Sequence, residues 1–350
     1  MSAQATELAV AKLLDGREYD HVTAKAHALF LGWTGAFAPV LDAHDILAVE
    51  SEFQFPLLNP ETEAPSRTFV EAGKMDGLLR EKRSGRICVL EHKTTVSGIE
   101  PESDYWIRLG MDTQISKYIL ATNQAGNPAH SVVYDVVRKP AQRPLGIALL
   151  DDDGVKIVHD ANGTRVRTKD GKKWRESGDT AQGYTLQTRE ETPEEYHLRI
   201  LAELEGERAK YFSHREIPRL DSDLLEYMQD AWAISQQILY FRRAKLWPRN
   251  PSACSEFGGC EFFSLCSGRA SVDGITFRKK DSKHSELTIA ENGLEFLTNS
   301  RLGALHKCAR YHFLKYEEPT EPVAEDAEAR RIGSLFHLGV ETYLKTFIKN

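Results

Sequence analysis

Apolar and polar positions alternate over residues 46–57, Ile-Leu-Ala-Val-Glu-Ser-Glu-Phe-Gln-Phe-Pro-Leu, and that period of two predicts a strand. Further strands are predicted at 68–80 and 86–95, joined by the turn Glu81-Lys-Arg-Ser-Gly85-Arg, and at 131–138. Between the last two lies a helical stretch at 109–125. Residues 7–40 also keep a helical period, with Trp33 and Phe37 inside an apolar run. Residues 145–188 carry short strand-like pieces broken at Gly154, Gly163 and Gly171 and read as a β-rich insertion; along the chain no internal repeat is expected. Thr192 followed by Pro193 marks a helix start running to about 209; helices at 221–246 and 299–316 follow. This order predicts an α/β fold, a small mixed sheet with helices on both sides.

Composition narrows the setting. At 350 residues the chain holds one large domain or two small ones, and 41% hydrophobic content is that of a globular protein. No apolar run reaches the length of a membrane span, and the N-terminus lacks a basic stretch followed by an apolar core. The expectation is a cytoplasmic protein with reduced thiols, in which five cysteines, three of them clustered, point to metal ligation over disulfides. The net charge of −7 is a mild argument against a polyanionic partner. The charge is uneven, however, with basic clusters at Arg242-Arg243-Ala-Lys245 and from Lys169 to Arg175.

The candidate chemistry sits on the second and third predicted strands. Side chains alternate across a strand, so Val89, Glu91 and Lys93 share one face, and Cys88, Leu90 and His92 the other. If Asp76 faces the same way, two carboxylates and an ammonium converge. Carboxylate oxygens suit Mg²⁺ or Mn²⁺, and a neighbouring lysine can orient a water; together they are the minimum for metal-assisted phosphodiester hydrolysis. The competing reading is a solvated hairpin with ordinary surface charges. Gln114 and Tyr118 form an i,i+4 pair on one helix face, and His337 and Glu341 repeat that spacing near the far end. The imidazole of His337 is a candidate additional ligand.

A second constellation is Cys254-Ser-Glu-Phe-Gly-Gly-Cys260-Glu-Phe-Phe-Ser-Leu-Cys266, a loop rich in small residues that lets backbone wrap a metal centre. Three thiolates need a fourth ligand for a Cys₄ site, either a 4Fe–4S cluster or structural zinc. Cys88, mid-strand beside Leu90, reads as a core residue.

On these residues the chain resembles the RecB-type nucleases of the PD-(D/E)XK superfamily, including phage exonucleases and the iron–sulfur nucleases of CRISPR adaptation. The resemblance runs through Gly333-x-x-x-His337, Asp76, Glu91-x-Lys93, Gln114-x-x-x-Tyr118 and the cysteines Cys254, Cys260, Cys266 and Cys308. It implies a restriction-endonuclease-like sheet and a metal-dependent deoxyribonuclease acting in recombination, repair or processing of phage or cellular DNA. Asp76, Glu91, His337 and the backbone carbonyl of His92 would hold Mg²⁺ or Mn²⁺; Lys93 would act on the water or transition state. Gln114 and Tyr118 would hold the DNA strand, and Cys308, on a helix, would complete the 4Fe–4S set. Glu50 and Glu341 are candidates for supporting the ligands. A recombinase or helicase partner is compatible with this reading. A non-catalytic nucleic-acid-binding subunit is the alternative.

The spacing C-x₅-C-x₅-C departs from the C-x₂-C that opens the cluster in many relatives. The motif order departs too: in the family the cysteine-bearing helix and the G-x-x-x-H helix come first, whereas here they lie at 296–350. The expected organisation is therefore residues 1–270 as the main part, with the cysteine loop at 250–268, a linker at 271–295, and 296–350 as a circularly permuted start of the domain. A monomer is expected. In the alternative, 296–350 is a truncated second copy that completes a neighbour's site by domain swapping.

Overall fold

In a computed structural model of the chain, residues 3–256, 259–289, 291–323 and 328–348 are described. The helical period of 7–40 divides into α1 (Ala3–Leu14) and α2 (His21–Ala43). Gly16 takes φ +66° after the first, and the Asp20 side chain caps the second by accepting from the Thr23 amide at 2.8 Å. Then come β1 (His44–Leu58), β2 (Pro65–Glu81) and β3 (Ile87–Thr95). The helix expected at 109–125 is two: α3 (Asp104–Gly110) and α4 (Thr113–Gln124). Asp112 between them caps the second, accepting from the Gln114 amide at 3.0 Å. β4 (Ala129–Arg138) leads into the insertion, which carries β5 (Gly146–Ala148), β6 (Val158–His159), β7 (Thr185–Leu186) and β8 (Thr188–Glu190).

The chain returns through α5 (Pro193–Gly206), α6 (Arg208–Tyr211), β9 (Phe212–Pro218) and α7 (Asp221–Ala244). Thr192 caps α5 as its sequence predicts, in a reciprocal box with Glu195. The remainder holds α8 (Phe263–Cys266), β10 (Phe277–Lys279), β11 (Glu295–Leu297), α9 (Asn299–Lys307), α10 (Ala309–His312), β12 (Thr320–Pro322) and α11 (Glu328–Lys345). The tail helix expected at 299–316 breaks at Cys308, whose φ of −169° and ψ of 126° are extended.

The fold is mixed α/β. Strands run in the order β1-β2-β3-β4-β9, with β11 also beside β2. The β3–β4 and β2–β11 pairs are parallel and the others antiparallel. Helices cover both faces. Cys88, Leu90, Val133 and Val137 of the sheet pack with α1, α2, α5 and α11 around Trp33, Phe30 and Tyr343. Val89, Val132, Tyr134 and Val136 pack on the other face with Trp106, Ile115 and Tyr118 of α3 and α4. The alternation read from β3 is thus the alternation observed. In the first layer α11 lies so close to α2 that a Cβ at Gly339 would stand 2.9 Å from the Phe30 ring.

The 17-residue β2 shares one edge between two partners. Gly77–Arg80 pair with β3, and Phe69–Glu71 pair with β11. The residues between have no strand beside them on that edge. A buried carbonyl without a partner is costly, and α4 supplies the missing donors. The Tyr118 hydroxyl donates to the Lys74 carbonyl at 2.8 Å, and the Lys117 ammonium reaches the Ala72 carbonyl at 3.4 Å. Lys117 is fully buried. It also donates to the Leu297 carbonyl of β11 at 2.5 Å and pairs with Glu71 at 2.7 Å, which in turn accepts from Tyr227 of α7 at 2.9 Å. Burial lowers the Lys117 pKa, with Glu71 opposing.

The segment expected as a linker, 271–295, is packed against the domain. Phe277, His284 and Leu287 are buried, β10 pairs with β12, and the Glu52 carboxylate of β1 accepts from the amides of Thr288 and Ile289. Behind it Arg242 and the buried Arg301 share Glu295 and Glu317 at 2.7–3.1 Å, joining α7, β11 and α9.

Lys117→Met leaves Glu71 buried without a counter-charge and should cost about 3–5 kcal/mol. The double variant Lys117→Met/Glu71→Leu should recover much of that loss. Urea unfolding of the three proteins measures both.

Candidate active site

The site forms where β2 and β3 part. Their ladder ends at Gly77 opposite Leu90. One residue further, the Asp76 carboxylate accepts from the His92 amide at 2.7 Å, so a side chain continues the bonding that backbone has given up. On the other side of β2, Val49 pairs with Gly77 and Ser51 with Met75, which leaves Glu50 opposite Asp76. Glu50 has φ +53°, a left-handed backbone that is uncommon for a residue with a Cβ. Such strain is of order 1–3 kcal/mol and collects at functional sites. Leu79 packs in the α2 layer and Met75, of the same parity, in the α4 layer, so β2 rolls between them with Asp76 in the roll.

Glu91 is the buried centre of the constellation. Its Oε1 lies 2.7 Å from the Lys93 Nζ and 3.0 Å from the Gln114 Nε2; its Oε2 is buried with no hydrogen-bond partner. Burial first, and the charge of Asp76 second, push its carboxyl up to about 8, against the pull of Lys93. The Lys93 ammonium also touches the Gln114 Oε1 at 3.0 Å and Asp112 at 3.4 Å. Burial would lower its pKa, but the charges of Glu91 and Asp112 raise it on balance. Gln114 bridges the set to Tyr118, donating to its hydroxyl at 2.6 Å. That hydroxyl is committed to the Lys74 carbonyl and burial raises its pKa, so Tyr118 acts inside the scaffold.

His92 points to the opposite face. Its Nδ1 lies 2.5 Å from the Oδ2 of Asp135, a fully buried residue of β4 that also accepts from the Trp33 indole at 2.6 Å and faces His214 Nδ1 at 2.9 Å. Burial alone would raise the Asp135 pKa; the two imidazoles pull it well below the usual carboxylate range. In return Asp135 raises His92 over the opposing effect of burial. The His92 Nε2 is buried without a partner. His337 of α11 comes to this place in the same chain: its ring stands 6.2 Å from that of His92 and nearly perpendicular to it, and burial lowers its pKa. Glu50 holds Lys74 at 2.5 Å, and Glu341 pairs with Lys345 at 2.5 Å. A cavity of about 270 Å³ opens beside Asp76, lined by Glu50, Lys74, Gln114, Tyr118 and Asn299.

The four cysteines of the second constellation line one separate cavity of about 220 Å³, with Phe262, Tyr311 and Lys307. Cys308 is not within a helix. Its extended backbone interrupts the helical run, and its sulfur accepts from the Asn250 amide at 3.2 Å. All are free thiols, and burial raises the Cys260 pKa. Cys88 is elsewhere, in the α2-side core, where burial pushes its thiol up to about 12. Among the described residues, no group of three or more His, Cys, Asp or Glu side chains is arranged to hold a metal ion. Also among them, no helix is long and apolar enough to cross a membrane.

Sequence reasoning passed over Asp135, Asp112 and Lys117. Asp135 had a signal: it is the lone acid in Val132-Val-Tyr-Asp-Val-Val137, a strand otherwise apolar enough to be buried. Asp135→Ala strips the acceptor from the Trp33 indole and the His92 imidazole and the counter-charge from His214, and should cost about 3–5 kcal/mol, measured by urea unfolding. Asp135→Asn, which keeps one acceptor oxygen, should cost less. Scanned against known protein families the chain matches no family model, and no curated protein matches it.

Proposed function

We propose that this chain is a metal-dependent deoxyribonuclease with a restriction-endonuclease-like core of the PD-(D/E)XK type. The observation that carries this reading is the meeting of Asp76, Glu91, Lys93 and Gln114 at the parting of two strands, with the Glu91 Oε2 buried and unpartnered. A buried acceptor without a donor is expensive, and a hard divalent cation is the partner its chemistry suits. Asp76, Glu91 and His337, with the His92 carbonyl, would hold Mg²⁺ or Mn²⁺. When bound, such an ion polarises a phosphoryl oxygen and lowers the pKa of water.

The protein's own groups supply the rest. Gln114 and Asp112 fix the Lys93 ammonium beside Glu91, so its charge is preorganised for the negative charge that grows on a phosphoryl group in the transition state. The buried Asp135 orients His92 and so fixes the backbone that joins Glu91 to Lys93. The open cavity beside Asp76 gives a strand its way in. The four-thiol cavity has the donor set of a Cys₄ centre, 4Fe–4S or zinc, which would clip the loop before α8 to the start of α10. The monomer is favoured over exchange by two placements within one chain: the His337 ring stands 6.2 Å from that of His92, and Cys308 lines the cavity of the other three cysteines.

Asp76→Ala and Glu91→Ala should abolish Mn²⁺-dependent cleavage of end-labelled DNA with the far-ultraviolet circular dichroism unchanged. Lys93→Ala should lose about 10²–10³-fold in rate and retain metal affinity by calorimetry. Undiminished cleavage by Lys93→Ala would overturn the assignment.

Protein purified without oxygen should be brown, with visible absorbance that bleaches on reduction. Cys254→Ala, Cys260→Ala, Cys266→Ala and Cys308→Ala should each lose the colour, and Cys88→Ala should keep it. Colourless protein with one zinc per chain by elemental analysis would decide for zinc.

A further inference from the structure

The insertion between β4 and α5 is built from one turn used repeatedly, against the expectation of no internal repeat, because an Asp-x-x-Gly signature of four residues is too short to stand out along the chain. Asp151 accepts through its Oδ1 from the amides of Asp153 and Val155, at 3.1 and 2.8 Å. Asp160 does the same with the amides of Asn162 and Thr164, at 2.9 Å each. In both, the backbone closes with a glycine amide on the aspartate carbonyl, Gly154 on Asp151 and Gly163 on Asp160. Gly171 on Thr168 is a third variant. These glycines take φ of 70–79°, the left-handed region such turns require. The result is a meander of short hairpins, bridged at Leu150–Lys156, His159–Arg165 and Arg167–Trp174. Little apolar surface is buried in it, so packing alone does not explain its aromatic residues.

Those aromatics hold guanidinium groups. The Trp174 ring has Arg165 at 4.3 Å and Arg167 at 4.1 Å from its centroid, and Tyr184 has Arg175 at 4.2 Å. Stacking of this kind fixes a long side chain without using its hydrogen-bond donors. Residues 164–175 contain six cationic side chains and one acidic one, in a chain of net charge −7. Arg165 pairs with Asp151 and Arg175 with Asp179. Arg167, Lys169, Lys172 and Lys173 are exposed, and among the described residues they form no ion pair. The insertion leaves the sheet at Arg138, opposite Thr95 and two residues beyond the Lys93–Val136 pair, so it rises from the end of the sheet that carries the candidate site.

We infer that the third hairpin of the insertion, through Arg167, Lys169, Lys172 and Lys173, is a docking surface for the phosphodiester backbone of a nucleic-acid strand delivered to the site. The occupant follows from charge complementarity and from the Arg167 guanidinium, which stacks on Trp174, donates through Nη1 to the Gly171 carbonyl at 3.3 Å and keeps its other donors for a phosphate. The inference rests on the nuclease reading for its placement, but its test does not require cleavage. The full chain, in EDTA, is titrated into a fluorescein-labelled thymidine oligonucleotide at several salt concentrations, with anisotropy as the readout. Arg167→Gln/Lys169→Gln/Lys172→Gln/Lys173→Gln should weaken binding at low salt by at least about tenfold. It should also flatten the dependence of log Kd on log salt by about 3, from roughly 0.7 per lost phosphate contact. Lys169→Arg/Lys172→Arg/Lys173→Arg should bind like the parent, and thermal unfolding should not change in either. Equal affinity and salt slope in the parent and the glutamine variant would overturn the inference, as would absence of binding by the parent or equal loss in the arginine variant. A parent that binds as expected yet cleaves nothing with Mn²⁺ would leave this surface standing and remove the nuclease reading.

Discussion

The sharing of one long strand edge between two short partners governs the architecture. β2 gives its far end to β3 and its near end to β11, and the interval between them belongs to neither. The backbone acceptors of that interval that point away from β1 need a donor that is not a strand. α4 provides two, from Lys117 and Tyr118, and this holds α4 at one height and rotation against the sheet. Gln114, one helical turn before Tyr118, is thereby delivered to Glu91 and Lys93. The site is a consequence of how the gap is closed.

The same gap explains why the C-terminal segment belongs to this domain. β11 occupies the edge that β3 vacates, and Leu297 receives the ammonium that Glu71 neutralises. The Arg242–Arg301–Glu295–Glu317 cluster fixes α9 behind it, and α11 then lies along α2, with Gly339 against Phe30 and His337 turned toward His92. Late sequence thus joins early sequence through buried polar contacts, which are specific in a way that apolar packing is not. A misplaced β11 would leave Lys117 a buried charge short of an acceptor.

Electrostatics separate the two faces of β3. On one, Glu91 and Lys93 meet Asp112 and Gln114 around a carboxylate oxygen left unpartnered. On the other, the buried Asp135 carboxylate gathers His92, His214 and Trp33. The first arrangement leaves a buried carboxylate oxygen without a donor, the demand a cation would meet; the second pairs opposite charges around Asp135 and leaves the His92 Nε2 without a partner. The proposed catalytic role takes Glu91 and Lys93 from the first face and His337 from the side of the second, with Asp76 in the roll of β2.

The main strands, the capping of α5 and the two-faced alternation of β3 were legible in the sequence, because each follows from local periodicity or from a cap that acts within four residues. Glu91, Lys93 and Gln114 could be singled out for the same reason: each lies on an element whose facing can be read from its own neighbours, whereas the facing of Asp76 stayed a condition because β2 rolls there. The breaks at Gly16, Asp112 and Cys308 fell inside runs of helical period, which hydrophobic spacing does not interrupt. β9 and β11 were not read, since seven and three residues give little pattern of their own. They are strands because β4 and β2 have free edges beside them. The packing of 271–295, the buried charge of Lys117 and the gathering of Trp33, His92 and His214 around Asp135 were decided by tertiary structure alone. Each is a polar group whose partners lie tens to hundreds of residues away, and no local rule announces a partner at that distance.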